Sequence, residues 1–282
     1  MKQLIALPTA FLVYLLLGSG GAFFSSCAKK EIIHDTSIVQ VHDTTVLVDS
    51  IYDTRTGLVA YYTFTGGSLH DSSGYGNDIV SNSATPTADR FGNAGNAYLF
   101  DGATSYMQVH NSLSLNPNNI TLMAIIKVNA FNASATCHAN QVLGKGIPDD
   151  IEGLYDLRFN ESNACAIIND SAHEEVYGTF GDDIPFGAAA RTGSDTTYVE
   201  TGKWYTLIYT YDGRQSKFYL NGELKSIQQK TELFTANTHD IFIGKNESTV
   251  YPYYLSGIID EIRIYNRAVT PGVIAQLSNL TH

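Results

Sequence analysis

The chain is poor in positive charge, with 17 Lys and Arg against 28 Asp and Glu in 282 residues and a formal net charge of −11. Nucleic-acid binding needs basic side chains that neutralise phosphates, so this balance argues against a nucleic-acid partner. It argues equally against electrostatic docking on an anionic lipid surface. Only 3 Met are present, whereas 18 Tyr, 13 Phe and 24 Gly give a composition typical of strands and turns.

Motifs of several enzyme classes are missing. The sequence has no G-x-S-x-G and no Cys-x-x-Cys. The segment HEEVY, which begins at His173, lacks the second His of the zinc motif H-E-x-x-H and lies in a predicted loop rather than a helix. These absences argue against α/β-hydrolase, thiol-redox and zincin chemistry.

The N-terminus has the features of an export signal. The apolar run Leu4–Leu17 is short and is interrupted by Pro8, which argues against a membrane-spanning helix. The small residues that follow, and then FSSCAKK, resemble a bacterial lipoprotein signal, in which the Cys is lipidated and becomes the new N-terminus. We predict a signal peptide over residues 1–26 and a lipid anchor on Cys27. Ordinary secretion with an incidental Cys27 is the alternative.

Export would place the two remaining cysteines, Cys137 and Cys165, in an oxidising compartment. An even pair there predicts a disulfide, and two buried thiols are the alternative. In the chain-entropy account, such a bridge would stabilise the fold by roughly 3–4 kcal/mol.

Residues 27–56 differ in composition from the rest of the chain. They contain no Gly and many β-branched residues, without sustained alternation. We predict that they form an extended stalk between the lipid anchor and a domain at residues 57–282. Ile32, Val39 and Val46 are spaced by seven, so a coiled-coil stalk is the alternative.

Short strands separated by turn residues follow from Gly57 onward. The segment at residues 119–128, NITLMAIIKV, is apolar on both faces, as a central strand of a sandwich is. The stretch 169–202 is predicted to be rich in loops. Roughly a dozen strands are expected, in an all-β fold with one domain.

Short sequence motifs predict two of the turns and one helix. Asp212 and Asn221 are each followed by Gly, the strongest short hairpin signal. Thr270 is a good N-cap, and Pro271 suits the first helical position. We therefore predict two hairpins and a short C-terminal helix.

Four segments, taken in order, carry a resemblance to a known family. They are GLVAYYTFTGGSLHDSSGYGNDIV, DRFGNAGNAYLFDGATSYMQV, KWYTLIYTYDGRQSKFYLNGEL and LSGIIDEIRIYNRAVTP. Together they are similar to the laminin G-like domains of the concanavalin A-like lectin/glucanase superfamily, from about Gly57 to the C-terminus. The resemblance implies a jelly-roll sandwich of two antiparallel sheets, one concave and one convex. It does not fix the function, because that architecture serves lectins, glycosidases and adhesins.

The resemblance also gives a test for glycosidase activity. Glucanases of this fold carry E-x-D-x-E-like carboxylates on one strand, but no Glu here has an Asp two positions later. Asp260 and Glu261 are adjacent and point to opposite faces of a strand. We predict no catalytic residue and a non-catalytic carbohydrate-binding domain. A polysaccharide hydrolase or lyase with acids from separate strands, and a protein-binding adhesion or assembly module, remain the alternatives.

Many members of the superfamily hold a structural calcium ion. Asp71, Asn77 and Asp78 lie in a Gly-rich turn, and oxygen ligands of these types suit calcium. The resemblance places this turn near the strand GIIDEIRIY, in which alternation puts Asp260 on one face with isoleucines. We predict calcium as cofactor, bound by Asp71, Asn77 and Asp260. The alternative is an Asx turn at Asp71 and backbone N–H donors to Asp260.

Aromatic side chains are candidates for stacking on a saccharide. Those of the predicted loop-rich stretch are Tyr177, Phe180, Phe186 and Tyr198, and those before the last strand are Tyr251, Tyr253 and Tyr254. Ordinary packing is the alternative for each ring. The predicted partners are thus a polysaccharide or glycan and, through the lipid anchor, a membrane. The predicted location is the bacterial cell envelope, at the outer membrane where one is present.

Overall fold

The computed structural model of the chain describes residues 38–41, 44–47, 52–131, 140–147, 154–160, 173–181, 192–193, 199–229, 231 and 234–279. Five residues singled out by the sequence lie outside these ranges: Cys27, Cys137, Cys165, Phe186 and Tyr198. The lipid anchor, the disulfide and two of the aromatic candidates therefore stay predictions.

Strands dominate the described residues. In chain order they are β1 (Ile38–Val41), β2 (Thr44–Leu47), β3 (Leu58–Tyr62), β4 (Ile79–Asn82), β5 (Thr85–Thr87), β6 (Ala97–Asp101), β7 (Met107–Val109), β8 (Ile120–Ala130), β9 (Asn140–Lys145), β10 (Leu154–Asn160), β11 (His173–Gly181), β12 (Thr192–Gly193), β13 (Val199–Glu200), β14 (Trp204–Tyr211), β15 (Gln215–Leu220), β16 (Glu223–Gln229), β17 (Ile241–Ile243) and β18 (Ser256–Tyr265). One α-helix, α1 (Pro271–Ser278), follows the last strand.

Two eight-stranded sheets form a sandwich. The back sheet has the order β16-β15-β14-β8-β18-β6-β5, with β3 paired to β18. The front sheet has the order β12-β11-β10-β9-β17-β7-β4, with β13 paired to β11. All of these pairings are antiparallel, and many join strands that are distant in sequence. The predicted all-β, two-sheet antiparallel sandwich is confirmed.

Strand β8 is buried on both faces, as its sequence predicts. Leu122 and Ile126 point into the core between the two sheets. Met123 and Ile125 point to the other side of the back sheet, where they pack with Leu277 and other apolar residues of α1. A strand that is covered on both faces has no need of alternation, which explains its continuous apolar run.

The helix begins where the sequence predicts it. The Thr270 hydroxyl accepts a hydrogen bond from the backbone N–H of Val273 at 3.5 Å, and Pro271 occupies the first turn. Among the described residues, no helix is both long enough and apolar enough to cross a membrane.

Both predicted hairpins are present. Asp212 and Gly213 lie between β14 and β15, and Asn221 and Gly222 lie between β15 and β16. Asn221 has φ 51° and Gly222 has φ 81°, so both central residues of the second turn are left-handed. The right-handed twist of paired strands favours this turn, which explains the Asn-Gly signal.

The prediction of loops across 169–202 is wrong for β11. This strand has nine residues and pairs with both β10 and β12. Val176 and Phe180 face the core, and Tyr177 and Thr179 face the other way. Apolar and polar residues do alternate in β11, but Gly178 lies between Val176 and Phe180 on the core-facing side. Because glycine has no side chain, the alternation typical of a strand is hard to recognise in the sequence.

The segment predicted as an extended stalk contains a pair of short strands. β1 and β2 pair antiparallel with each other and form a separate sheet. Among the described residues, Tyr52 and Thr54 already contact the domain predicted at residues 57–282. The backbone N–H of Tyr52 donates to Gln276 Oε1 at 2.8 Å, and the hydroxyl of Tyr265 donates to the carbonyl of Thr54 at 2.9 Å.

Candidate functional site

The carboxylate that the sequence places among isoleucines lies at a β-bulge in β18. The register between β18 and β8 shifts between Ile259 and Glu261, so Asp260 occupies the bulge. Ile259 and Ile262 consequently face the core, whereas strict alternation predicts that Ile258 shares a face with Ile262. Asp260 is nevertheless buried, with 4% of its surface exposed.

Arg90, from the turn between β5 and β6, is the partner of Asp260. The Asp260 Oδ2 atom accepts hydrogen bonds from the backbone N–H of Arg90 at 3.1 Å and from its Nη1 at 2.6 Å. Arg90 Nη2 also lies 3.8 Å from Glu261 Oε2. Burial raises the pKa of Asp260, and the amide and guanidinium of Arg90 oppose that rise. A cation of the protein itself therefore offsets the buried charge.

The Asp71 carboxylate organises the Gly-rich turn. It accepts hydrogen bonds from the backbone N–H groups of Tyr61 at 2.9 Å, Ser73 at 2.9 Å and Asn77 at 3.0 Å. The Ser73 hydroxyl donates to it at 2.7 Å as well. The carboxylate thus closes an Asx turn and ties it to β3.

Each of the three predicted calcium ligands is in contact with donors of the protein. Asn77 Oδ1 accepts a hydrogen bond from the Ser112 hydroxyl at 2.7 Å, so this oxygen too is occupied by a donor. Within the described residues, no hydrogen bond or ion pair joins Asp260 to Asp71 or Asn77, and no cluster of His, Cys, Asp and Glu suits a metal. A hydrogen bond joins Asp71 and Asn77 within the Gly-rich turn, whereas Asp260 is paired with Arg90. Calcium binding by this protein therefore stays a prediction.

The two described aromatic candidates of the 169–202 stretch lie on β11 and are buried. Phe180 is 2% exposed and stacks on Phe234 in the core, with ring centroids 4.8 Å apart. Tyr177 is 0% exposed, and its hydroxyl contacts Arg158 Nε. Neither ring offers a free face to a saccharide, contrary to the expectation from the sequence.

Five strands of the front sheet place one row of side chains on its outer face, away from the core. The register aligns Gln108 of β7, Phe242 of β17, Gly144 of β9, Asp156 of β10 and Thr179 of β11. Their neighbours along the strands, such as Ile241 and Leu157, face the core. Strands lie about 4.8 Å apart, so Phe242 and Asp156 are separated by roughly 10 Å, with the side-chain-free Gly144 between them.

One end of this row is a buried polar cluster, formed by Gln141, Asp156, Arg158, Tyr177 and Thr179, each of them at most 2% exposed. Asp156 Oδ1 accepts a hydrogen bond from the Thr179 hydroxyl at 2.8 Å, and Asp156 Oδ2 lies 3.5 Å from Arg158 Nε. Burial acts to lower the pKa of Arg158, but Tyr177 and Asp156 outweigh it and raise the pKa. In the described part of the chain, Gln141 Oε1 and Asp156 Oδ2 accept no hydrogen bond.

The other end of the row carries an aromatic platform, formed by Tyr106, Phe242 and Tyr254, all partly exposed. The ring centroids of Tyr106 and Phe242 are 6.0 Å apart, with the rings tilted by 42°. The ammonium of Lys245 lies 4.8 Å from the centroid of Tyr106, 5.0 Å from that of Phe242 and 5.8 Å from that of Tyr254. These distances are those of cation–π contacts.

The loop between β17 and β18 fixes Lys245 and Tyr254 in place. Its two ends are joined by the backbone bond from Leu255 N–H to the Gly244 carbonyl, at 2.9 Å. Tyr253 has the left-handed φ of 48°, and its carbonyl accepts a hydrogen bond from the Gln141 N–H at 2.8 Å. The loop therefore links the platform to the strand that carries part of the buried polar cluster.

The described part of the outer face offers hydrogen-bonding and stacking groups rather than a free acid pair. Asp240 accepts hydrogen bonds from Gln108 Nε2 at 2.6 Å and from the Asn111 N–H at 2.8 Å. Asp156 is occupied by Thr179 and Arg158. Each carboxylate thus has a local partner.

Sequence reasoning named Tyr254 as a candidate for stacking but missed Tyr106, Phe242 and the polar cluster. For the cluster a signal exists, because Asp156 and Arg158 alternate with Leu157 and Phe159 in β10. That alternation places two charged side chains on the outer face of a strand. Tyr106 and Phe242 are far apart in the chain and meet only because β7 pairs with β17.

Residues 101–275 match the model of the concanavalin A-like lectin/glucanases superfamily. No curated protein matches the chain.

Several solved structures are similar to the chain. Domain 4 of AbnA, a GH43 extracellular arabinanase from Geobacillus stearothermophilus in complex with arabinotriose, has a TM-score of 0.53 and 20% identity, over 78% of this chain and 98% of that domain. The receptor-binding domain of botulinum neurotoxin mosaic serotype C/D has a TM-score of 0.56 and 15% identity, over 80% of this chain and 51% of that one. The binding domain of Paraclostridial Mosquitocidal Protein 1 has a TM-score of 0.55 and 13% identity, over 80% and 52%. The chain spans about half the length of the two toxin domains, and at these identities the likeness shows the fold.

Proposed function

Because the chain belongs to the concanavalin A-like lectin/glucanase superfamily, we propose that it binds a carbohydrate on the outer face of its front sheet without cleaving it. The observation that carries this proposal is the aromatic platform, in which Tyr106, Phe242 and Tyr254 remain partly exposed around the ammonium of Lys245. A cluster of partly exposed aromatic rings on a sheet surface is typical of a contact surface.

The chemistry of the platform suits a saccharide. Sugar rings have apolar faces that pack on aromatic rings, and their hydroxyls pair with nearby amide and carboxylate groups. Gln108, next to Phe242 in the same row, supplies such an amide at the edge of the platform. A structural neighbour supports the proposal at the level of fold, since the arabinanase domain has been solved in complex with arabinotriose.

The absence of cleavage is part of the proposal. A glycosidase needs two carboxylates that flank the scissile bond, one of them able to donate a proton. Asp156 and Asp240 on the outer face are instead held by Arg158 and Gln108. A hydrolase or lyase, and a protein-binding adhesion module, are the competing functions that the experiment must separate.

We expect Phe242→Ala to weaken the binding of a glycan by about tenfold, because a truncated aromatic anchor at a binding surface typically loses more than 1 kcal/mol. A glycan array identifies the ligand, and titration calorimetry measures both variants. Tyr75→Ala is the matched control, because Tyr75 is also an exposed aromatic residue, at 56%, and lies outside the platform. Release of reducing sugar from a bound glycan would support an enzyme instead. Binding of no glycan, or equal affinity of Phe242→Ala and wild type, would contradict the proposal.

We further propose that the domain is held at the bacterial cell envelope by a lipid on Cys27, which lies outside the described residues. The support is the sequence FSSCAKK after a short apolar run. Cys27→Ala should move the protein from the membrane fraction to the soluble fraction of a cell lysate. The variant lacks the acyl anchor, and a chain with a net charge of −11 is not attracted to an anionic membrane. Retention of Cys27→Ala in the membrane fraction would exclude the anchor.

A further inference from the structure

Lys245 is a charged side chain that lies over the aromatic platform. Its ammonium lies above the rings of Tyr106, Phe242 and Tyr254. Lys245 is partly exposed, and no carboxylate of the described residues lies within ion-pair distance of it. Burial lowers the pKa of Lys245, and Glu247 opposes that shift.

Glu247, which acts on the pKa of Lys245, and Asp240 of the outer face are held by other groups. Glu247 Oε2 lies 2.9 Å from His239 Nδ1, and Asp240 accepts hydrogen bonds from Gln108 and the Asn111 N–H. Lys245 therefore has no carboxylate partner among the described residues. Its charge is left available to a ligand.

A saccharide that approaches the platform meets this ammonium. A neutral sugar must displace Lys245 from the rings in order to stack on them. The cation–π contacts are then lost, and a neutral sugar forms no ionic contact with Lys245 that replaces them. A sugar with a carboxylate must move Lys245 as well, but it forms a charge-assisted hydrogen bond with the ammonium, and this bond compensates for the lost cation–π contacts. The same ring surface therefore favours an acidic sugar over a neutral one.

We propose that the platform is selective for acidic saccharides, with a uronate carboxylate bound to Lys245. This inference rests on the proposed glycan binding and adds the chemical class of the ligand. The selectivity is local, because the net charge of −11 repels polyanions at long range. Short uronate oligosaccharides at moderate ionic strength are consequently the suitable probes.

The experiment compares trisaccharides of galacturonate, glucuronate and mannuronate with their methyl esters, which keep the sugar ring and remove the charge. For at least one of them, the acid should bind about tenfold more tightly than its ester, as expected for a hydrogen bond between charged groups. Lys245→Gln should reduce this ratio to about one, and Lys245→Arg should largely keep it. Raising the salt concentration should also reduce the ratio.

Other outcomes separate this inference from the proposed function. Equal or tighter binding of the esters, or of arabinotriose, with a loss in Phe242→Ala, would overturn the acidic preference and leave glycan binding in place. Tighter binding of neutral sugars by Lys245→Gln, with unchanged binding of the acids, would show that Lys245 only covers the rings. If neither acids, esters nor neutral glycans bind, the proposed function fails as well.

Discussion

Arg90→Met should lower the free energy of unfolding at neutral pH by about 3–5 kcal/mol, the loss typical of a buried ion pair that is deprived of one partner. The side chains of Arg90 and Asp260 are 10% and 6% exposed, and their closest atoms are 2.6 Å apart. Without the guanidinium, Asp260 keeps only the Arg90 backbone N–H as a donor among its described contacts. Urea denaturation followed by tryptophan fluorescence measures the loss, since Trp204 lies on the back sheet.

The loss should depend on pH with a defined sign. Burial already raises the pKa of Asp260, and removal of Arg90 takes away the group that opposes the rise. A carboxyl whose pKa is higher in the folded than in the unfolded protein destabilises the fold only above its unfolded value of about 3.9. The effect of Arg90→Met should consequently shrink as the pH falls from about 7 to about 4.

The matched control is the double variant Arg90→Met with Asp260→Asn. An uncharged amide at the bulge requires no cation, so the double variant should recover more than half of the lost stability. Equal stability of Arg90→Met and wild type at neutral pH would contradict the assignment of Arg90 as the partner. Rescue of the single variant by added calcium would instead support an ion near Asp260.

The sandwich could be predicted because its signals are local. The apolar run of β8, the Asn-Gly turn at Asn221 and the cap at Thr270 each depend on residues close in sequence. The bulge at Asp260 could not be read in the same way. A single extra residue in β18 shifts the alternation, and it becomes visible only when the partner strand β8 is aligned with it.

The candidate site depends on distant pairing and was therefore less predictable. The sequence singles out Asp260 as a buried carboxylate that needs a partner, and the structure pairs it with Arg90. Phe180 was proposed as a sugar contact because the glycines around it suggest a loop, and it lies in the core. Phe242 carries no signal of its own, since DIFIGK reads as an ordinary strand.

The second large effect is expected at the buried polar cluster. Arg158→Met should lower the free energy of unfolding by about 3–5 kcal/mol, because it leaves Asp156 buried with the Thr179 hydroxyl as its remaining described donor. Both side chains are at most 2% exposed, so water cannot replace the guanidinium. Thermal and urea denaturation of the variant measure the loss.

Two matched variants identify its cause. Arg158→Met with Asp156→Asn removes both charges and should restore much of the stability, because an unpaired charge rather than lost packing dominates the effect. Tyr177→Phe removes only the hydroxyl that contacts Arg158 and should lower stability by less, about 1.5–3 kcal/mol for a hydrogen bond to a charged group.

The cluster and the platform share one row of the front sheet, but the cluster is buried and the platform is not. Below its melting temperature, Arg158→Met should therefore retain more of its glycan affinity than Phe242→Ala does, and a greater loss of affinity in Arg158→Met would move the binding surface from the platform to the cluster.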